Sequence, residues 1–452
     1  MEAVQPRVRV LRRRCAPKVL ACPSCGKRGR RKQVHTRRVR DIAYGEIVFI
    51  EVRVGEYRAT CSCCKTFRAS ITGIEPRAEY SNRVREAVID RLLDDQMSME
   101  RLRQALQRDF HLDLSDGFLY DCLDWKVRQL NLASYRQWTL ANFSGTLCID
   151  EIHLGRRTLL LATDPLGDFP VAFALVSAND QDHMRRFLTN LKNCGFLPQV
   201  VVTDGSNLYP ALLAESWPQA RHQLCVFHVL KDINQLVFDA LRRLRRQLAQ
   251  QNKRRRKRGR PTKAQKRARA RLGRTKKEQA FFIWKRRHLI VTRPDHLSDR
   301  DRDHLSLMLQ YLPALRTLRQ FVLKVYDLFD PKQSPHQARC RRAALVKTSQ
   351  FLADPDLAQA LAMLSPEKFD KMIAFLHSPA SQQVRTNNHV ERTNRRLRFL
   401  EKVRYKWRRR RTIVRFVLLA LDRWHQRQLI IAATSFTQPK AKPECCLTQK
   451  AA

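Results

Sequence analysis

The sequence holds no uninterrupted apolar run long enough to span a bilayer, and no signal-type apolar segment follows its basic N-terminus. Membrane insertion and export are therefore not expected. Acidic residues are scarce: 42 Asp and Glu stand against 88 Lys and Arg, for a formal charge of +46. A soluble chain with that surplus needs a polyanionic partner, because each cation placed against a phosphate releases condensed counterions. Nucleic acid is the leading candidate, and the expected place of work is the cytoplasm, on the nucleoid of a bacterial host. No tyrosine or serine recombinase pattern stands out, which argues against a covalent protein–DNA intermediate. The 13 cysteines are scattered, and without an export signal they do not read as a disulfide framework. Some of them should bind metal.

What is present supports real cores. Hydrophobic residues make up 43% of 452 positions, so disorder by composition is excluded for most of the chain, and the length implies about three domains.

Cys22-Pro-Ser-Cys25 is followed, after a strand-like stretch from Glu46 to Val54, by Cys61-Ser-Cys63-Cys64. With Cys64 as fourth ligand this gives two C-x-x-C knuckles, a zinc-ribbon pattern, in which Cys22, Cys25, Cys61 and Cys64 hold one structural Zn²⁺ in a closed tetrahedron. Cys63 or His35 are alternatives for one thiolate. The flanking cations from Lys27 to Arg31 and Arg37 to Arg40 are placed to touch DNA backbone.

From Asn82 to Leu130 apolar residues recur at helical spacing in three short segments. Ser98 and Ser115 sit where N-caps are needed. The arrangement reads as a helix-turn-helix whose last helix enters a major groove, or as a small helical connector.

Thr146 to Asp150 reads as a short buried strand ending in an acid; Thr158 to Thr163 and Phe169 to Val176 are two more, separated by the turn signal Asp164-Pro-Leu-Gly. Asp182 to Cys194 has helical spacing, and Gln199 to Thr203 is a fourth strand running into Asp204. Three strands, a helix and a strand parallel to the first is the order of a ribonuclease-H-like sheet, in which the first and fourth strands are neighbours. That adjacency brings Asp150 to Asp204. Hard carboxylate oxygens so paired can hold two Mg²⁺ or Mn²⁺ ions about 3.5–4 Å apart, one activating the attacking oxygen and one stabilising the leaving one. The third acid is expected in Arg385-Thr-Asn-Asn-His-Val-Glu391, polar turn residues that continue as a helix with Val390, Leu397 and Leu400 on its buried side. Glu391 would project towards the sheet and leave Arg392, Arg395, Arg396 and Arg398 to meet phosphates; an intrahelical partner for Arg395 is the plainer role. Glu151 competes with Asp150 as a ligand, but strand alternation turns it away.

These residues together resemble the DDE transposases of bacterial insertion sequences, most closely the ISL-three family. The resemblance rests on the zinc ribbon, the helix-turn-helix, the Ile-Asp150-Glu151 and Val-Thr-Asp204-Gly strands and the Asn-Asn-His-Val-Glu391-Arg block. It implies that Asp150, Asp204 and Glu391 form the DDE triad. Cys225-Val-Phe-His228 is similar to a C-x-x-H found after the second aspartate in related transposases; Cys225 ends an expected strand and His228 opens a helix, so a packing role beside the site stands level with a contact to DNA, and zinc ligation is not expected.

The segment between Asp204 and Glu391 exceeds what such a sheet needs, and the excess reads as a helical insertion. Within it Arg258-Gly-Arg260-Pro261 has the look of an AT-hook, or of a solvated basic loop. Arg404-Tyr-Lys406-Trp407 interleaves aromatics with cations, suited to phosphate contact and base stacking. The expected architecture is multi-domain α/β: 1–78 zinc ribbon, 79–140 helix-turn-helix, 141–229 and 382–436 the two parts of the catalytic core, 230–381 the basic helical insertion, and 437–452 a tail. The expected activity is binding of the element's terminal inverted repeats, then metal-dependent cleavage and strand transfer on double-stranded DNA, ends and target, by a homodimer or higher assembly formed on synapsis. The rival is a non-catalytic DNA-binding regulator derived from such an enzyme.

Overall fold

The computed structural model describes residues 6–64, 66–250, 262–263, 275–404 and 408–437. The DNA contacts expected of Arg258, Arg260, Lys406 and Trp407, and the tail beyond Thr437, lie outside the described residues. The chain divides into two compact units, residues 1–138, 152–159 and 393–452, and residues 139–151 and 160–392. Among the described residues no helix is long and apolar enough to cross a membrane.

The first unit opens with more sheet than the ribbon pattern implied. Strands β1 (Arg7–Cys15), β2 (Val19–Ala21), β3 (Arg28–Ala43), β4 (Glu46–Ala59) and β5 (Thr66–Arg68) pair in the order β1-β4-β3-β2, with β5 also on β4. The long β3–β4 hairpin alternates outward arginines with inward Val39, Ile50 and Val52, which pack with Ile74. That period of two leaves one face cationic and one apolar.

Three helices follow as expected: α1 (Asn82–Leu93), α2 (Met99–Phe110) and α3 (Asp116–Val127). Ser81, Ser98 and Ser115 cap them, their hydroxyls accepting from the backbone N–H of Val84, Arg101 and Phe118. Ser81 also donates to the buried Asp41 carboxylate at 2.5 Å, which ties the start of α1 to β3. Helix α4 (Leu132–Ala141) was not foreseen. Its Tyr135 and Trp138 rings lie 4.8 and 4.2 Å from the His425 ring, on the helix Arg410–Thr437. That helix is longer than its apolar core from Val414 to Leu421 indicated. Arg411 and Arg415 pair with Asp124 of α3, and Arg423 with Asp90 of α1.

The second unit contains strand β6 (Thr146–Leu154) up to Glu151, strand β7 (Arg157–Asp164) from Leu160, strand β8 (Phe169–Val176), helix α5 (Gln181–Asn193), strand β9 (Val200–Thr203), helix α6 (Tyr209–Ser216) and strand β10 (Arg221–Leu224). The sheet order is β10-β9-β6-β7-β8, so the first and fourth strands are adjacent as the sequence order required. They run parallel with Thr146 opposite Val200, Leu147 opposite Val201 and Cys148 opposite Val202. Strand β10, the strand expected ahead of Cys225, extends the sheet parallel to β9. The β7–β8 turn is fixed by Asp164, a fully buried carboxylate that accepts from Ser144 N and Oγ, Leu166 N and Gly167 N at 2.7–2.9 Å.

The insertion is helical, as expected: α7 (Val226–Gln250), α8 (Lys276–Lys285), α9 (Asp299–Tyr311), α10 (Leu315–Asp327), α11 (Pro335–Val346), α12 (Ser349–Leu352), α13 (Pro355–Ala362) and α14 (Pro366–Met372). It has its own core, running from Val229 and Ile233 through Phe321, Val325 and Phe351 to Phe369 and Phe375. The chain enters and leaves it at one point, where Val226 N donates to Arg385 O at 2.9 Å. Helix α15 (Asn388–Val403) then follows, with Val390, Leu397 and Leu400 buried as its spacing predicted.

Gln223 of β10 joins sheet to insertion. Its buried amide donates to Met372 O at 2.8 Å and accepts from Phe375 N at 2.7 Å. Leucine there would leave a buried donor and a buried acceptor unpaired, each costing about 1–3 kcal/mol. Gln223→Leu is expected to lower unfolding stability by about 2–5 kcal/mol in a denaturant titration; a loss under about 0.5 kcal/mol would show that the amide is dispensable.

Candidate active site and metal centres

Asp150 and Asp204 stand two residues beyond the Cys148–Val202 pair, one on each of two adjacent parallel strands. The strand register therefore carries both carboxylates to the same sheet edge. Asp204 follows the last residue of β9 and begins a turn, accepting from Ser206 N at 3.0 Å. Glu391 lies in the first turn of α15, with its side chain 25% exposed. Half-burial suits metal-binding acids, since their charge is sheltered while an ion can still reach them.

The delivery of Glu391 depends on Asn387. This wholly buried residue donates from Nδ2 to Ile149 O at 2.9 Å, one residue before Asp150, and from its backbone N–H to Cys225 Sγ at 3.3 Å. A second tie holds the outer side of α15: Asp168, in the left-handed region at φ 54°, pairs with His389 Nε2 at 2.8 Å and Arg392 Nη2 at 3.0 Å. Burial pushes the His389 imidazole below its ordinary value against the pull of Asp168.

The electrostatics of neighbouring groups trace the convergence. The buried Tyr209 hydroxyl is pushed well above its usual range by burial first and then by Glu151, Asp204 and Asp150. The Cys148 thiol is likewise raised by burial, with Cys225, Asp164, Asp150 and Glu391 adding to it. Glu151 accepts from Asn179 Nδ2 at 2.9 Å and from the Tyr209 hydroxyl. The competing acid is thus engaged in structural hydrogen bonds.

Cys225 and His228 lie beside the expected third acid. Cys225 lies between β10 and α7, and His228 in the first turn of α7. Their ligand atoms and a Glu391 oxygen all fall within 4.8 Å of one another. His228 is raised to about 9, chiefly by the neighbouring Cys225 and further by Glu391 and Asp204.

In the first unit Cys22, Cys61, Cys63 and Cys64 form a group that could hold a metal ion, and Cys25 Sγ lies 3.3 Å from Cys63 Sγ. Cys63 thus stands in this group where the C-x-x-C spacing expected Cys25, which lies beside it. His35 is not among them: it is paired with Glu56 at 2.5 Å, which holds that carboxyl below its usual range. Backbone N–H of Ser24, followed by neighbouring groups, lowers the Cys22 thiol to about 6, favouring the thiolate that metals bind.

The arginines near α15 divide. Arg395 and Arg398 are exposed; Arg392 pairs with Asp168 while staying half exposed; Arg396 lies 4.7 Å over the Trp424 ring. Arg404, expected at phosphate, is turned inward. Its guanidinium donates to Leu400 O and Leu92 O and lies 4.5 Å over the Phe416 ring, and burial lowers it to about 10. Helix α3 presents Asp116 and Asp121 to solvent, a poor match for phosphate.

The sequence of residues 147–412, more than half of the chain, matches the ISL-three family of DDE transposases, described as Transposase. The chain belongs to this family. No curated protein gives a significant sequence match. Among solved structures, the Drosophila P element transposase strand transfer complex is similar over 81% of this chain and 93% of that chain at 12% identity, with a TM-score of 0.36. That score is too low to establish a common fold.

Asn387, Asp164 and Asp168 were not identified as site-forming from the sequence of this transposase-family chain. The pairing of two adjacent asparagines ahead of Glu391 was the available signal for Asn387. Asn387→Asp keeps the size and removes the amide donor to Ile149 O; a loss of about 1–3 kcal/mol is expected in thermal unfolding. An unchanged melting temperature would mean that this bond does not hold α15.

Proposed function

We propose that the protein is a transposase that binds the terminal inverted repeats of its insertion sequence and catalyses metal-dependent strand cleavage and strand transfer. The observation that carries this reading is the register that sets Asp150 beside Asp204, with Asn387 fastening the Glu391 helix to the same strand. The strand order β10-β9-β6-β7-β8 fits a ribonuclease-H-like core.

Asp150, Asp204 and Glu391 would hold two Mg²⁺ or Mn²⁺ ions, for which three half-buried carboxylates are the appropriate hard donors. When bound, such ions activate the attacking oxygen and stabilise the leaving one. The chain's own contribution is to fix the three acids on rigid elements, Asp150 within β6, Asp204 directly after β9 and Glu391 at a helix start, so that no reorganisation is needed as charge develops. Tyr209 and Asn179 keep Glu151 out of the ligand set.

DNA is the proposed partner. The exposed Arg7, Arg9, Arg12, Arg13 and Arg14 of β1 and Arg28, Arg30, Lys32 and Arg38 of β3 give the N-terminal sheet a phosphate-binding character. With three Asp in α3, the helix-turn-helix would need its neighbours' arginines for that task. A structural Zn²⁺ at the cysteine group would hold β2 and β3 to the end of β4. Synapsis of two ends calls for a homodimer or larger assembly, acting in the cytoplasm on the nucleoid.

Two measurements test this reading. Mg²⁺-dependent cleavage of a labelled duplex carrying the element's own terminus is expected for the wild type and is lost to background in Asp204→Ala and Glu391→Gln, with end binding retained. Binding without cleavage under any metal would instead mark a DNA-binding regulator, and cleavage that survives in Glu391→Gln would assign the third acid wrongly. Separately, Cys22→Ser is expected to lose one zinc per chain by elemental analysis; an unaltered zinc content would place the structural ion elsewhere.

A further inference from the structure

The second unit brings together a thiol, an imidazole and a carboxylate drawn from two segments far apart in sequence. His228 Nδ1 faces Glu391 Oε1 across 3.7 Å, and Cys225 Sγ lies within 4.8 Å of a ring nitrogen of His228 and a carboxylate oxygen of Glu391. A hydrogen bond between a ring nitrogen and a carboxylate is made at about 2.7–2.9 Å, so 3.7 Å is too long for one. Both facing atoms are buried and have no hydrogen-bond partner among the described residues. Leaving two such atoms unpaired is costly.

The separation matches another kind of contact. Zinc binds imidazole nitrogen at about 2.0–2.1 Å, carboxylate oxygen at about 2.0–2.2 Å and thiolate at about 2.3 Å, and a tetrahedral angle then sets nitrogen and oxygen ligands about 3.3–3.5 Å apart and sulfur slightly farther from either, so the 3.7 Å gap closes onto a shared ion with a shift of about 0.2–0.4 Å. Mg²⁺ needs oxygen ligands in a near-octahedral shell and does not select a thiolate. The donor set is therefore wrong for the catalytic ions and right for a thiophilic one. The His228 and Glu391 side chains are 33% and 25% exposed although the facing atoms are sheltered, while Cys225 anchors the base from the interior.

We propose that Cys225, His228 and Glu391 form a binding site for a thiophilic divalent cation of the zinc class, separate from the cysteine group of the N-terminal sheet. Binding forms Sγ–metal, Nδ1–metal and carboxylate–metal bonds and releases to solvent the thiol proton of Cys225 and any proton on His228 Nδ1. The consequence for activity rests on the reading of Glu391 as the third carboxylate: an ion seated here holds Glu391 and competes with Mg²⁺ for it. Zinc would then restrain cleavage, and removal of zinc would release the acid to the catalytic pair.

The test uses the full chain equilibrated with zinc alone and counts bound metal by elemental analysis after removal of free ion. Wild type is expected to retain two zinc ions per chain, Cys225→Ser and His228→Gln one each, and Cys22→Ser one that is lost when His228→Gln is added. Circular dichroism melts identify any variant that fails to fold, and cobalt replacement in wild type supplies a measurement without substitution: the thiolate-to-cobalt absorption should saturate in two steps. A single zinc in wild type, or two retained in both folded single variants, overturns the proposal. A wild type that binds two zincs yet shows no Mg²⁺-dependent cleavage after the zinc is stripped from this site would remove the carboxylate reading and leave this site standing. One zinc with Mg²⁺-dependent cleavage would do the reverse.

Discussion

The arrangement of the second unit hangs on one buried amide. Asn387 bonds through its side chain to the strand that carries Asp150 and through its backbone to Cys225, so three segments separated by 238 and 162 positions meet at a single residue. An amide can do this because it carries a donor directional enough to specify a carbonyl, without the desolvation cost of burying a charge. Its cost if broken is the cost of an orphaned carbonyl inside the sheet. The site therefore inherits its precision from the packed interior.

Much of the sheet was legible in the sequence. Strands β6, β7, β8 and β9 are short apolar runs bounded by Gly, Pro and Asp, and the two aspartates sit where such runs stop. Ser98 and Ser115 were readable as caps because their chemistry is local: a hydroxyl three residues ahead of an orphan N–H. What escaped was long-range. Nothing in Cys225-Val-Phe-His228 indicates that Glu391 will face it, because that meeting depends on how the insertion closes. The N-terminal strands were under-read since arginine-rich segments such as β1 carry few apolar residues, and their pairing with β4 supplies what alternation does not show.

Arginine is where composition misled most. A large positive surplus suggests that each cation near the site awaits phosphate, yet several are consumed by the protein itself. Arg319 is buried and donates to Leu289 O and Ile290 O; Arg404 and Arg415 are likewise turned inward. The guanidinium suits this use because its planar fork satisfies several carbonyls at once and stacks on aromatic rings. Charge counts therefore overstate the surface available to DNA.

The hydrogen bond from Val226 N to Arg385 O gives the insertion an unusual standing. The chain departs from the sheet and returns to it through adjoining backbone positions, so everything between them is a closed excursion with its own hydrophobic interior. Loop-closure entropy grows only slowly with length, and the neck is already closed. Material could be added to or removed from the excursion over evolutionary time without moving either carboxylate-bearing strand. The insertion is thus the part of this architecture freest to diversify, while the acids it interrupts stay in place.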